Sequence, residues 1–502
     1  MLTTLAAPAF AGTWYIENGD ITVKASGTEG KNTVSQGNKK DVEDTNTIIT
    51  NQNQDKASSH TVTIDANDKN DKVEVTLKDV NIDTSSRNKA AVSVTGSGNT
   101  TIKLDGDNAL KSDTYRSGIY GSGSLTISGG ENDSLTAQGG SGANGISSSG
   151  SLTISGGTVT ANGGNGGYGI YSSGVTISGG TITANGGSGK DGSGDGIFSF
   201  DPVAISGGTV TAKGGSGEDG EDGGDGIRSF DPVAISGGTV TAKGGSGEDG
   251  SGGRGIISTK SVTISGGTVN ANGGSGKNGN GGNGIIGSGR VAISGGTVNA
   301  AGGDGGNGKD GGDGIRSGGI DLSGSLELTA KAGSPNGKAL SQNGKELDLN
   351  AIKDKLGPGA KVTVTDANGE TKQVSIPRPV EPEKPVIPEE SSSSSDGGSS
   401  APSAPASSLP GLTVTDKSGA VISYTSTQSG NTLTVCVGRL TASLRASLST
   451  LRQLRAEGIE TITFQTILCS TTLSVDELLA MGGEDAEAVL THRSTDSSLT
   501  VG

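Results

Sequence analysis

Residues 262–271 read VTISGGTVNA, and this short stretch decides the fold. Apolar Val262, Ile264 and Val269 alternate with small polar residues, and a Gly-Gly pair separates the two halves. Alternation at a period of two, with many β-branched residues, is typical of β-strands that have one buried face and one solvent face. The stretch therefore predicts two short strands joined at a glycine corner.

The same phrase recurs along the chain in two registers. The isoleucine of the Ile-Ser-Gly-Gly phrase returns every 23 to 30 residues, at Ile127, Ile154, Ile177, Ile205, Ile235, Ile264 and Ile293. The isoleucine of a preceding Gly-Ile step returns with the same period, at Ile119, Ile146, Ile170, Ile197, Ile227, Ile256, Ile285 and Ile315. Repeats of this length indicate a solenoid, and no unit shows the 3.6-residue periodicity of a helix. The prediction is an all-β fold, a parallel β-helix whose coils stack about 4.8 Å apart.

The composition agrees with a narrow core. Only 29% of the residues are hydrophobic and 2% aromatic, which suits a core one aliphatic side chain wide but is low for an ordinary globular protein. The 92 glycines cluster between strands and show no Gly-X-Y period, so they predict corners rather than collagen. The formal net charge of -15 argues against a nucleic-acid partner. No apolar run approaches the roughly 18 residues of a transmembrane helix.

Composition also divides the chain. Residues 1–11 resemble the end of an export signal peptide, and the competing interpretation is a buried first strand. Residues 12–115 predict a cap with irregular first coils, and 116–376 predict regular coils with a C-terminal cap. Residues 377–410 are rich in Pro and Ser, as linkers are. Residues 411–502 predict a small α+β domain. The export signal predicts a secreted or cell-surface protein.

Two helices are predicted in this C-terminal domain. Five leucines with helical spacing predict one helix that ends at Gly458; they are Leu440, Leu444, Leu448, Leu451 and Leu454. Ser474 and Glu477 form a capping box that predicts the start of a second helix.

Three phrases stand near the start of the Gly-Ile coils: VTLKDVNI at residues 75–82, TIKLDGDN at 101–108 and SLTISGG at 124–130. Together with the coils up to about residue 332, they resemble secreted bacterial carbohydrate-binding β-helix proteins, the polygalacturonate-binding family of clostridial type. The resemblance implies a right-handed parallel β-helix, calcium on the coil surface and export. It also implies binding of an acidic plant polysaccharide without cleavage.

The corners between coils contain a candidate metal site. Most coils show Gly-Gly-x-Gly-x-Asp or its Asn variant after the second strand, and a further acid precedes several Gly-Ile steps. Stacking would bring these carboxylates together, and their repulsion favours a cation or an intervening lysine. Calcium suits such an all-oxygen set; the competing interpretation is ordinary turn residues with solvated side chains. The candidate ligands are Asp191, Asp195, Asp219, Asp225, Asp249, Asp310 and Asp313.

The residue after each Gly-Ile step is a candidate sugar contact. Strand alternation points this side chain outward when the isoleucine points inward. Aromatic rings stack on sugars, and arginine pairs with uronate carboxylates. The candidates are Tyr120, Tyr171, Phe198, Arg228 and Arg316. Ser147, Ile257 and Ile286 interrupt the series, and the competing interpretation is a row of unrelated surface residues.

Three functions compete. The first is a non-catalytic carbohydrate-binding protein whose partner is an acidic polysaccharide such as polygalacturonate, with calcium assisting. The second is a surface stalk or adhesin that contacts protein, cell wall or a host surface, for example through the C-terminal domain. The third is a polysaccharide lyase or hydrolase, disfavoured because an active site breaks a repeat with unique residues, whereas Asp195 and Asp225 are copies in similar loops. We therefore expect no enzyme activity.

Overall fold

The computed structural model describes residues 12–26, 30–190, 192–377 and most of 412–501. The last range excludes 417–419, 423, 430, 438–440, 467–469, 482–485 and 493–496. The chain forms two compact units, residues 1–383 and 384–502, and each is described by itself. The predicted signal remnant, residues 1–11, lies outside the described residues, and so does the predicted linker beyond Pro377.

The first unit is the predicted β-solenoid, with about 13 turns. Two of its walls belong to one 25-stranded sheet, and the third wall is a separate sheet of 12 strands. We call wall A the strands that carry the Gly-Ile step, wall B those that end in Ile-Ser-Gly-Gly, and wall C the strands that follow the Gly-Gly corner.

Wall A consists of Ile21–Ala25, Val62–Ala66, Val92–Gly96, Ile119–Gly121, Ile146–Ser148, Ile170–Ser172, Ile197–Ser199, Ile227–Ser229, Ile256–Ser258 and Leu340–Gln342. Wall B consists of Thr13–Tyr15, Thr47–Thr50, Lys72–Lys78, Asn99–Asp105, Ser124–Ser128, Leu152–Ile154, Val175–Ile177, Val203–Ile205, Val233–Ile235 and Ser261–Ile264. Two longer strands run through both walls, Ile285–Ile293 and Ile315–Leu322. The sheet also includes Asn32–Gln36, Lys39–Asp44 and Lys345–Glu346, which pair antiparallel.

Wall C consists of Asn81–Asp83, Asp107–Lys111, Ser134–Gln138, Thr158–Asn162, Thr181–Asn185, Thr209–Lys213, Thr239–Lys243, Thr268–Asn272, Thr297–Ala301, Glu327–Lys331, Lys361–Thr365 and Thr371–Ser375. Short 3-10 helices lie at Ile16–Asn18 and Leu349–Lys355.

Parallel pairing in register creates the core. Ile235 pairs with Ile205 on one side and Ile264 on the other, and all three side chains are buried. On wall C, Val240 continues a second buried stack. Each fully buried aliphatic side chain contributes about 1.5–3 kcal/mol, so stability accumulates coil by coil. The predicted inward stacks are confirmed.

Glycine is required where one coil lies directly on the next. A Cβ atom added at Gly226, before the Ile227 strand, would lie 2.6 Å from the carbonyl oxygen of Gly255 in the following coil. At the Gly-Gly corner, Gly238 has a φ of 78°, which favours glycine. The glycines therefore set the spacing and turns of the coils.

At the N-terminal end, Trp14 is buried and its Nε1 donates to Asp44 Oδ2 at 2.7 Å. Ile16 is also buried in the same core. Trp14 and Ile16 thus belong to the N-terminal end of the buried core, whereas Tyr15 between them is exposed.

The described residues of the second unit form two four-stranded sheets and two α-helices. The helices are Leu448–Ala456 and Val475–Met481. One sheet contains Leu412–Thr415, Ala442–Ser447, Glu487–His492 and Ser497–Val501. The other contains Thr425–Ser429, Thr432–Cys436, Thr461–Gln465 and Ser470–Ser474.

The leucine-based helix prediction is wrong in its first part. Leu444 lies on the strand Ala442–Ser447, whose residues alternate between buried and partly exposed, and Leu440 lies outside the described residues. The sequence there fits periods of both 2 and 3.6, and pairing with two neighbouring strands decides for the strand. At the second helix, Glu477 N donates to Ser474 Oγ at 3.4 Å, which is one half of the predicted capping box. No helix among the described residues is long and apolar enough to cross a membrane.

Candidate functional site

The predicted sugar contacts occupy one register position on wall A. Tyr171 pairs with Phe198, and Phe198 pairs with Arg228. Tyr120 pairs with Ser147, which in turn pairs with Tyr171. Arg316 occupies the same register position nearer the C-terminal end of the solenoid, where it pairs with Ile286. We call these outward positions the wall A row. Because neighbouring strands are about 4.8 Å apart, the row is a line of side chains along the solenoid axis.

Five aromatic rings meet around the middle of this row. Tyr171 stacks on Phe198 with centroids 5.3 Å apart and an interplanar angle of 7°. Three rings that were not predicted join them: Tyr168 lies 4.9 Å from Phe198, and Phe200 and Phe230 stack on each other at 5.7 Å. We call these five rings the aromatic platform. It is a large share for a chain with six tyrosines, five phenylalanines and one tryptophan.

The platform has a covered layer and an exposed layer. Phe198 is only 6% exposed because the neighbouring rings cover it. Phe200 and Phe230 are 44% and 38% exposed. The predicted outward exposure of Phe198 is therefore wrong: its ring is buried within the platform, and the rings that reach solvent beside it are Phe200 and Phe230.

Arg228 lies against the platform. Its guanidinium carbon is 5.8 Å from the centroid of Phe198 and 5.6 Å from that of Phe230. Such cation–π contacts hold the planar guanidinium in place. Its Nη1 lies 3.9 Å from Asp225 Oδ2, which is too long for a hydrogen bond. Arg228 thus presents fixed donors next to exposed aromatic rings.

Three predicted metal ligands form hydrogen bonds between adjacent coils. Asp195, Asp225 and Asp313 are buried at the position before the Gly-Ile step. The Oδ1 of Asp195 accepts from Asp225 N at 2.6 Å, that of Asp225 from Arg254 N at 2.7 Å, and that of Asp313 from Lys338 N at 2.8 Å. Each acceptor satisfies a backbone N–H of the following coil, so these carboxylates fasten adjacent coils.

The Asp195 and Asp225 carboxyls form a close buried pair. Burial, with a further contribution from the charge of Asp225, raises the pKa of Asp195 to about 7. Burial also raises the pKa of Asp225, although Arg254 and Arg228 act in the opposite direction. The Oδ2 atoms of both residues have no hydrogen-bond partner among the described residues. Burial first, and Asp195 second, raise the pKa of the Tyr168 hydroxyl in the platform.

Three other metal candidates, Asp219, Asp249 and Asp310, lie at exposed corners, and each has a nearby partner. Lys190 Nζ is 2.9 Å from Asp219 Oδ2. Asn278 Nδ2 donates to Asp249 Oδ1 at 2.7 Å, and Asn336 Nδ2 donates to Asp310 Oδ1 at 2.9 Å. Asp191 lies outside the described residues.

This arrangement does not fit a ready-made calcium centre. Lysine and amide groups intervene between the stacked acids, as the repulsion argument allowed. Within the described ranges, no group of three His, Cys, Asp or Glu residues is placed to hold a metal ion. Calcium binding stays a prediction.

Two grooves flank the platform region. One, of about 600 Å³, is lined by Tyr120 together with Tyr115 and Arg116. The other, of about 310 Å³, brings Arg316 together with Asp310 and Asp313. Sequence reasoning missed Tyr115 because it lies in an irregular coil, where no repeat register indicates its position.

Comparison with known proteins identifies the protein family to which the chain belongs. Residues 56–311 match the model of a family described as carbohydrate-binding domain-containing protein. This chain belongs to that family. No curated protein and no solved structure gave a match. The matched region of this carbohydrate-binding domain protein includes the whole aromatic platform and excludes Asp313 and Arg316.

Proposed function

We propose that the protein is exported and binds an acidic polysaccharide, such as polygalacturonate, on wall A without cleaving it. Membership of a carbohydrate-binding family supports the general class of ligand. We also assign the solenoid a right-handed coil and the second unit to the α+β class. That second unit is a candidate for contact with a cell wall or host surface.

The observation that carries the proposal is the aromatic platform. A sugar ring has an apolar C–H face and polar edges, so it stacks on an exposed aromatic ring while its hydroxyls stay in contact with water. Phe200 and Phe230 stack on each other and are 44% and 38% exposed, so the pair presents apolar ring surface to the solvent. Exposed apolar groups collected in one place mark binding surfaces more often than scattered ones do.

Arg228 is the feature that favours an acidic ligand. Its guanidinium is held by the Phe198 and Phe230 rings, and its nearest carboxylate contact, to Asp225, is 3.9 Å long. A uronate carboxylate next to the stacked sugar ring could accept two charge-assisted hydrogen bonds from it. A neutral sugar would leave these donors to water.

Binding without cleavage is supported by the role of the nearest acids. General acid–base chemistry needs a carboxyl group that reaches the substrate. Asp195 and Asp225 are buried, and each has one oxygen bonded to the backbone of the following coil. Their sequence pattern is explained by coil stacking.

The test is affinity electrophoresis of the full chain in gels that contain polygalacturonate, methyl-esterified pectin or a neutral glucan. We expect strong retardation by polygalacturonate, weaker retardation by the ester and little by the glucan. Arg228→Gln should reduce the difference between the acid and its ester. Equal retardation in all three gels would contradict the acidic ligand, and new reducing or unsaturated ends after incubation would contradict the absence of cleavage.

A further inference from the structure

We propose that the groove at Tyr115 and Tyr120 is a second sugar subsite that continues the aromatic platform, so that one acidic glycan chain lies along the solenoid axis. The inference rests on the proposed function and makes it more specific. The ligand would be an internal stretch of an extended polysaccharide rather than a chain end or a single sugar.

The groove has the surface chemistry of a sugar site. We call it the N-terminal groove; its volume is about 600 Å³. Tyr115 and Tyr120 are 76% and 47% exposed, so two rings are open to a ligand. Asn88, Asn144 and Ser93 also line it and supply amide and hydroxyl groups. Aromatic faces beside short polar groups match the alternating apolar and polar surfaces of a pyranose ring.

Tyr115 is held in position in spite of its exposure. Its φ is 60°, a left-handed conformation that bulky residues rarely adopt. Its backbone N donates to Ser141 O of the next coil at 2.8 Å. A Cβ atom added at Gly142 would lie 2.7 Å from two carbons of the Tyr115 ring, so this ring rests directly on a glycine. An unusual backbone that displays a supported ring points to a binding role.

Arg116 gives the groove the same polarity as the platform. Its Nε donates to Asn88 Oδ1 at 3.0 Å and to Asn88 O at 3.2 Å, which fixes the plane of the guanidinium. Among the described residues it forms no ion pair with a carboxylate. Its remaining donors are suited to a uronate carboxylate, as are those of Arg228.

Register joins the groove to the platform. Tyr120 pairs with Ser147, and Ser147 pairs with Tyr171 of the platform. Two coil steps correspond to roughly 10 Å. Ser147, which is 7% exposed, occupies the register position between the two tyrosines and also lines the groove. From Tyr120 to Arg228 the row advances four coils, or roughly 19 Å, which requires a chain of several sugars.

The experiment measures binding of oligogalacturonides of increasing length, and of polygalacturonate, by calorimetry with the full chain. The variants are Tyr115→Asn, which removes the ring but tolerates the left-handed backbone, Phe230→Thr and their combination. Tyr15→Ala is the control, because Tyr15 is 37% exposed and belongs to neither site. Thermal melting confirms that each variant is folded.

Short oligomers that reach only the platform should bind Phe230→Thr more weakly than the unmodified protein, and should bind Tyr115→Asn as well as the unmodified protein. Long chains should lose about tenfold in either single variant, equivalent to about 1.4 kcal/mol, and more in the double variant. If Tyr115→Asn binds long chains like the unmodified protein while Phe230→Thr weakens them, the continuous track is wrong and the proposed function stands. If neither variant weakens binding, or no acidic oligomer binds the unmodified protein, both proposals fail.

Discussion

Walls A and C are built from the same coils, yet their outward positions differ sharply. On wall C the central outward position is nearly constant, with Thr160, Thr183, Thr211 and Thr241 in successive coils and Asn270 after them. The wall A row instead changes from tyrosine to serine, phenylalanine, arginine and isoleucine. Each wall buries a continuous stack of aliphatic side chains on its inner side, Ile146 and Ile170 on wall A and Val159 and Ile182 on wall C, so the outward difference does not come from the core. This contrast supports the proposal that wall A carries the recognition.

We expect the largest effect on stability when a buried position of a wall, rather than an outward one, receives a charge. Ile235→Asp places an unpaired charge in a buried stack and should destabilise the protein by about 4 kcal/mol or more. Thr241→Asp, on the outer side of wall C, should be nearly neutral. Thermal melting compares the two variants, and equal shifts would show that the assigned facing is wrong.

The buried acids beneath wall A should make stability depend on pH. The pKa of Asp195 is raised from 3.8 to about 7, so the folded protein retains a proton that the unfolded chain releases. Stability from this group is therefore full below about pH 4, and falls as the pH rises to about 7. Asp195→Asn keeps the Oδ1 acceptor, as Asn144 and Asn283 do in other coils.

The Asp195→Asn variant should accordingly be the more stable protein at pH 8, by at most about 4 kcal/mol, and similar at pH 4. Denaturant titrations at the two pH values measure this. A variant that is less stable at pH 8 would mean that the carboxylate is stabilised there. Thr241→Asn is the matched control.

A third variant, Phe230→Thr, replaces a ring of the aromatic platform by the residue type found at the equivalent position of the next coil. Phe230 occupies the place that Thr259 holds one coil later. Phe230→Thr should weaken binding to polygalacturonate about tenfold without lowering the melting temperature by more than a few degrees, because this ring is partly exposed. Thr241→Ala on wall C should bind like the unmodified protein. Loss of binding in the wall C variant instead would reverse the comparison.

The smallest expected effect concerns calcium at the exposed corners. If the ion binds there, it stabilises the folded form, and the melting temperature should rise with millimolar calcium and fall with chelator. Replacing Asp219 and Asp249 together by Asn should reduce that response. An unchanged melt under both conditions would leave these aspartates as turn residues paired with Lys190 and Asn278.

Much of the fold can be predicted from the sequence, because the two isoleucine series recur once per coil and so indicate which residues stack on each other in successive coils. The platform was only partly predictable. Tyr171 and Arg228 follow the strand register, whereas Phe200 and Phe230 lie just beyond the strand, where the conformation of the corner decides their direction. Phe198 follows the register too, but its burial depends on those corner rings.

The partners of the acidic residues at the corners could not be predicted from the sequence either. Whether a carboxylate in a stacked corner binds a metal, a lysine or a backbone N–H depends on the partner in the next coil, at a distance of about 30 residues. For Asp195 that partner is Asp225 N. The predicted start of the first C-terminal helix is wrong for a different reason, since Leu444 satisfies both the helical and the strand period.

The central claim is that a glycan binds along wall A, and hydroxyl-radical footprinting with mass spectrometry tests it most directly. The full chain is oxidised with and without polygalacturonate, and side-chain oxidation is compared residue by residue. Protection of Phe200, Phe230 and Tyr120, with Tyr15 unchanged, is the predicted result. Protection confined to the C-terminal unit, or unchanged oxidation of the platform in the presence of bound polysaccharide, would contradict the account.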